Sequence, residues 1–198
     1  MLKLHLTRAN DYEGVYLQLP STPAEIGEAW AMLDAISDDI ASTRIIGAIS
    51  NVWDIGQYIK TADVNDSEQF KKLDKIAKIT DNLSREQCWL FEGALAAESV
   101  NSLDDVLSIG ERLDQFVLIP DVTTERELGV YLVESGKMIF DESVRPYLDY
   151  SRIGIEYYAN HGGAYTTGGY VLRRNAIEQT IDADQTFDEQ VIGTIKMG

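Results

Sequence analysis

At four expected helix starts along this chain a Ser or Thr stands three residues ahead of a side chain that can reach back to its amide. The pairs are Thr22 with Glu25, Ser84 with Gln87, Ser102 with Asp105 and Thr124 with Glu127. At a helix start the hydroxyl accepts a hydrogen bond from the backbone three residues on, and the later side chain returns the favour, so two otherwise unsatisfied amides are satisfied together. Each pair therefore predicts a helix N-terminus. The chain between these starts must supply the connections, strands and remaining helices.

Residues 2–8 alternate, with Leu2, Leu4 and Leu6 on one face, and predict a strand. A turn over residues 10–14 and a second strand over 15–19 predict a β-hairpin ended by Pro20. Pro23 sits at the first position of the next helix, where its missing amide costs nothing. That helix is expected to run to Ile36 with Ile26, Ala29, Trp30, Leu33 and Ile36 inward, and residues 37–39 to open a loop. Residues 44–50 predict a strand, and Trp53 is expected in the core. Residues 1–55 thus form an N-terminal β-β-α-β module.

Residues 56–119 form a helical middle domain. Its first helix opens at residues 66–68 and runs to 79 with Phe70, Leu73, Ile76 and Ala77 inward; its lysines face out. The second holds Cys88, Trp89, Phe91 and Leu95. The third is expected to carry Val106, Leu107, Leu113 and Phe116 inward. Asp104, Glu111 and Asp114 would then line one face as an acidic ridge, the first two about 10 Å apart along the axis. Residues 120–174 form a C-terminal α/β module. It has a helix to Val133 stopped by Gly136, a connection over 137–148, and a helix from Asp149 to Asn160. His161 follows in a turn beside Gly162 and Gly163, and a strand over 164–173 is interrupted at Gly168 and Gly169. Residues 175–198 are a tail or an extra strand pair near 186–195. The fold class is α+β, a string of small modules.

Charge decides what such a chain can bind. It has 33 acids against 17 bases in 198 residues, a net charge of −16. Such a field repels nucleic acid and anionic membranes and attracts a cationic groove. The acids are not gathered in a tail: the net is −5 over residues 1–55, −5 over 56–119 and −6 over 120–198. The apolar runs are far shorter than the ~20 residues of a membrane span. One cysteine, Cys88, leaves no internal disulfide and fits a reducing cytoplasm.

No catalytic constellation is legible. Two histidines and one cysteine give no metal-ligand spacing, and no glycine-rich phosphate loop or nucleophile elbow is present. Cys88, within a helix beside Trp89 and Phe91, is expected to be inert. Adjacent carboxylates such as Asp38-Asp39, Asp104-Asp105 and Asp141-Glu142 point apart on a regular element, so pairs in sequence are not pairs in space. Neither catalytic, cofactor nor metal residues are expected. The candidate site is instead a distributed acidic surface for a cationic partner: Asp81, Glu86, Glu92, Glu98, Asp104, Asp105, Glu111, Asp114, Asp121, Glu125, Glu127, Glu134, Asp141, Glu142, Asp149 and Glu156.

Three motifs add a family resemblance: E-L-G-V-Y-L-V-E at 127–134, P-Y-L-D-Y at 146–150 with I-G at 153–154, and G-G-Y-V at 168–171. With L-P-S-T-P-A-E-I-G-E-A at 19–29, they resemble ArdA-type antirestriction proteins over most of residues 1–171, weakly through 56–100. The resemblance implies a non-enzymatic, cytoplasmic DNA mimic from a mobile element or phage. It implies an elongated homodimer, without cofactor, that blocks the DNA groove of type I restriction–modification enzymes. The alternative is an inhibitor or adaptor of another defence nuclease, such as a CRISPR effector, acting through one discrete acidic patch.

Overall fold

The computed structural model describes residues 1–8, 13–36, 43–178 and 181–182. The expected mixture of helices and small antiparallel sheets is what forms. Contacts divide the chain into two compact units, residues 1–95 with 99–113, and 96–98 with the chain from 114 onward.

In the first unit, β1 (Leu2–Arg8) and β2 (Val15–Leu19) form the expected hairpin, and β3 (Thr43–Ser50) pairs antiparallel on the other side of β1. The register sets Leu2 opposite Leu19, Leu4 opposite Leu17 and Leu6 opposite Val15, which stacks all six on one buried face. Helix α1 (Pro23–Ile36) follows β2. Its capping box is made: the Thr22 amide donates to Glu25 Oε2 at 2.7 Å and the Glu25 amide to Thr22 Oγ1 at 3.3 Å. Ala29 and Leu33 are buried, and Trp30 meets Phe70 edge-on at 6.4 Å. Ile36 departs from the expected stripe: it is the last residue of the helix and is exposed.

The expectation for Trp53 is corrected. Its side chain is 76% exposed, while Val52 and Ile55 take the core positions. The segment turns sharply at Asp54, which has φ +57, so successive residues there do not share one face. Short helix α2 (Gly56–Ile59) leads to α3 (Ser67–Asp81), whose N-cap is Asp66. Leu73, Ile76 and Ala77 of α3 are fully buried. Because α3 packs on β1 and β2, the expected boundary between residues 55 and 56 falls inside this unit. Helix α4 (Arg85–Ala97) opens at the Ser84–Gln87 box and buries Cys88, Phe91, Ala94 and Leu95.

Helix α5 (Leu103–Gly110) opens at Ser102 as predicted but is shorter than predicted. Leu113 lies in a 3-10 turn (Leu113–Gln115), and Phe116 begins a strand, β4 (Phe116–Pro120). The run Phe-Val-Leu-Ile is apolar and β-prone on both faces, and pairing in a sheet wins over helix continuation. This strand moves the second boundary from 119/120 to 113/114, since β4 pairs with a strand of the second unit.

The second unit has the sheet order β4, β7 (Gly169–Arg173), β6 (Ala164–Thr166). The single strand expected over 164–173 is therefore a hairpin. Thr166 closes its turn, its hydroxyl donating to Gly169 O at 2.9 Å and accepting from the Gly168 amide at 3.2 Å. A Cβ on Gly169 would stand 2.1 Å from Ile119 O, so the β4–β7 pairing needs glycine there.

Helices α6 (Glu125–Glu134) and α7 (Tyr150–His161) cover this sheet's core. Both expected helix stops and starts are found: Gly136 with φ +70, and Asp149 as the N-cap of α7. Leu128, Leu132, Leu148, Ile153, Tyr157 and Tyr170 fill the interior. His161, expected in a turn, closes α7; its ring stacks on Tyr157 at 4.2 Å and its Nδ1 lies 3.0 Å from Tyr157 O. Strand β5 (Met138–Ile139) pairs in parallel with β8 (Ile181–Asp182), and α8 (Arg174–Glu178) follows β7. The strand pair expected near 186–195, the loop at 37–39 and most of the turn at 10–14 lie outside the described residues.

Candidate functional site

The sixteen acids fall into three groups by what the fold does with them. Four close local backbone. Asp105 accepts from the Asn101 amide at 3.0 Å and the Ser102 hydroxyl at 2.8 Å. Glu127 accepts from the amides of Thr123 at 2.7 Å and Thr124 at 3.1 Å. Asp141 holds the Ser143 amide and hydroxyl, and Asp149 caps α7 through the Arg152 amide. Backbone donors hold Asp105 and Glu127 below the usual carboxylate range, led by the Asn101 and Thr123 amides respectively. For Asp141 the Ser143 hydroxyl leads.

Five are ion-paired and so partly neutralised. Asp81 meets the N-terminal ammonium. Asp104 pairs with Lys72 at 2.7 Å, Glu98 with Arg173 at 2.6 Å, Glu142 with Arg145 at 3.4 Å and Glu156 with Arg152 at 2.5 Å. Only the last two, at helical spacings of three and four residues, were legible in sequence. The Lys72–Asp104 and Glu98–Arg173 pairs join residues 32 and 75 positions apart.

The side chains of the remaining seven make no capping hydrogen bond and no ion pair among the described residues. Glu86, Glu111, Asp114, Asp121, Glu125 and Glu134 are exposed, and they occur in both units. Glu92 differs: it is half-buried, and desolvation, reinforced by the nearby Asp54 carboxylate, raises its pKa. Tyr58 in the same cluster is raised by desolvation first, then by Asp54 and Glu92. Sequence reasoning missed this cluster, because residues 54, 58 and 92 carry no spacing that announces it.

The acidic ridge expected on α5 is corrected. The helix stops at Gly110 with Glu111 as its C-cap, so Asp114 is not on it. Asp104 is occupied by Lys72. Of the three, Glu111 and Asp114 stay exposed beyond the end of α5.

Cys88 is buried, and desolvation raises its thiol pKa, which removes the thiolate needed for reactivity. No cluster of three or more His, Cys, Asp or Glu able to hold a metal ion occurs among the described residues, nor a helix long and apolar enough to cross a membrane. No family model matches the chain, and no curated protein matches it.

Proposed function

We propose that this protein is a DNA-mimicking inhibitor of type I restriction–modification enzymes. It would occupy their DNA-binding groove through carboxylates distributed along the chain. The observation that carries the reading is the survival of exposed, uncommitted acids in both units after caps and ion pairs are removed from the candidate set. The capping acids add to them, since a carboxylate that accepts an amide bond is still an anion. Each Lys or Arg of a DNA groove would gain a carboxylate partner where it otherwise meets a phosphate. Association would be steered by the net charge of −16 and weakened by salt. The motif resemblance to ArdA-type proteins supports the choice of target. The same reading carries an elongated string of modules with a helical middle, a cytoplasmic setting and a homodimer. Small-angle scattering and sedimentation test the shape and the pairing.

The functional test is inhibition of a purified type I enzyme. The expected result is inhibition competitive with DNA, no turnover, and potency that falls steeply between low and physiological salt. Changing Glu86, Glu111, Asp114, Asp121, Glu125 and Glu134 to Gln or Asn should weaken it more than changing the paired Asp104, Glu98, Glu142 and Glu156. Normal cleavage and methylation in excess protein refute the proposal.

A further inference from the structure

The segment after β3 leaves an indole in water. At Asp54 φ is +57, and around this turn Val52 and Ile55 go inward while Trp53 stays outside, 76% exposed. Trp53 lines an open groove of about 510 Å³ together with Ile46 and Ile49, themselves 41% and 50% exposed. An exposed Trp flanked by aliphatic side chains has the composition of an interface hot spot.

The charged groups around this groove favour a cation. Asp54 and Lys60 line it, and among the described residues Asp54 makes no ion pair, with Lys60 or with any other base. Glu92 of α4 stands close enough to Asp54 to feel its charge, and Tyr58 close enough to feel both. Two carboxylates thus stand against one lysine, in a chain of net charge −16. The local balance and the overall field have the same sign.

We propose that this groove docks a basic, apolar-bearing segment of a partner protein, with an arginine as its anchor. The arginine stacks its guanidinium on the Trp53 indole and takes Asp54 as its carboxylate, while an aliphatic neighbour covers Ile46 and Ile49. Arginine suits both groups at once, because its planar cation stacks on an aromatic face and still presents donors to a carboxylate. The chain makes such a stack itself, with Arg85 lying over the Trp89 ring at 4.8 Å.

Charge separates this occupant from the others. An acidic segment or a nucleic acid would bring anions against Asp54, Glu92 and the net charge together. A second copy would join two chains of −16 and set Asp54 beside its own equivalent. The inference rests on Trp53 and on Asp54, an acid outside the candidate set, so it stands apart from DNA mimicry.

The test is calorimetric titration of the full chain, at physiological salt, with capped octapeptides that alternate Leu with Arg, with Lys or with Glu. The Arg/Leu peptide is expected to bind most tightly, and the Glu/Leu peptide about tenfold more weakly or worse. Trp53→Ala should weaken the Arg/Leu peptide about tenfold. Asp54→Asn should weaken it about threefold, and asparagine tolerates the positive φ at this position. Lys60→Gln should strengthen it by removing the competing cation. Glu28→Gln makes the same change of charge at an exposed position of α1 and should alter binding less than Asp54→Asn. All these sites are exposed, and circular dichroism verifies that the variants fold. Binding of no peptide, Glu/Leu binding as tight as Arg/Leu, or indifference to Trp53→Ala overturns the proposal. So do equal losses from Asp54→Asn and Glu28→Gln, which would mean attraction by net charge alone, and weaker binding in Lys60→Gln. Lys/Leu binding as tight as Arg/Leu overturns the arginine anchor. Self-association that Trp53→Ala abolishes in sedimentation assigns the groove to a second copy and also overturns it. Peptide binding and restriction inhibition are separate readouts, so the two readings fail separately.

Discussion

Replacing Gly129 or Gly154 by alanine should unfold the second unit at markedly lower temperature. These glycines lie where α6 and α7 cross. A Cβ at Gly129 would sit 1.9 Å from the carbonyl oxygen of Tyr150, and one at Gly154 would sit 1.8 Å from that of Glu125. The contacts are reciprocal, so each helix backbone rests on the other's glycine. A carbon–oxygen contact needs about 3.3 Å, so the helices must separate by roughly 1.4 Å to admit one methyl group at Gly129. The obstacle is backbone, which cannot rotate aside as a side chain would. The strain therefore belongs at the upper end of the overpacking range, about 3 kcal/mol. Alanine returns about 1 kcal/mol through its better helix propensity. The net loss of about 2 kcal/mol lowers Tm by roughly 8–16 °C for a unit of under 100 residues. The double variant should lose less than the sum, since one separation relieves both clashes. Calorimetry or near-ultraviolet circular dichroism measures this. Gly27 on α1 is the control: nothing lies within 4 Å of its would-be Cβ. Gly27→Ala should therefore stabilise by about 0.4–1 kcal/mol. If Gly129→Ala behaved like Gly27→Ala, with an unchanged or raised Tm, the close-crossing argument would be wrong.

Thr124→Ala removes the hydroxyl that accepts from the Glu127 amide at 3.3 Å, and should cost about 1 kcal/mol in chemical denaturation. Asp66, Asp105, Glu127 and Asp141 have folded pKa values depressed first by hydrogen bonds from Glu68, Asn101, Thr123 and Ser143 respectively. Their stabilisation is present above the unfolded carboxylate values and is lost as pH falls through the lowered ones, so Tm should decline on the acid side of pH 4. Glu92 has the opposite sign. Its raised pKa means the native state holds the proton more tightly than the unfolded chain, so this contribution falls as pH rises through the raised value. Glu92→Gln should raise Tm at neutral pH and change it little at pH 3. A Tm lowered at pH 7 by this substitution would show that desolvation does not govern the site.

The motifs at 127–134 and 153–154 carried the resemblance, and the structure gives their glycines a packing role. Gly129 and Gly154 sit at a helix crossing and Gly169 at a strand pairing, where backbones approach too closely for a side chain. The candidate site was legible only as a count of charges. Whether an acid is spent on a cap follows from residues within a few positions of it, so Glu127 and Asp105 could be placed from sequence. Whether it is spent on a distant cation could not, which is why Lys72–Asp104 and Glu98–Arg173 were unforeseen.

Local chemistry by itself determined the helix starts, the first hairpin, the stop at Gly136 and the excess of negative charge. Capping, alternation and turn geometry act over three or four residues and leave their marks there. Tertiary structure alone decided the rest: that residues 116–120 join a sheet with 169–173, and that Trp53 faces outward while Ile55 is buried. Each of these depends on which distant surface reaches a residue first. That competition is settled by packing the whole unit, and no short window of sequence contains it.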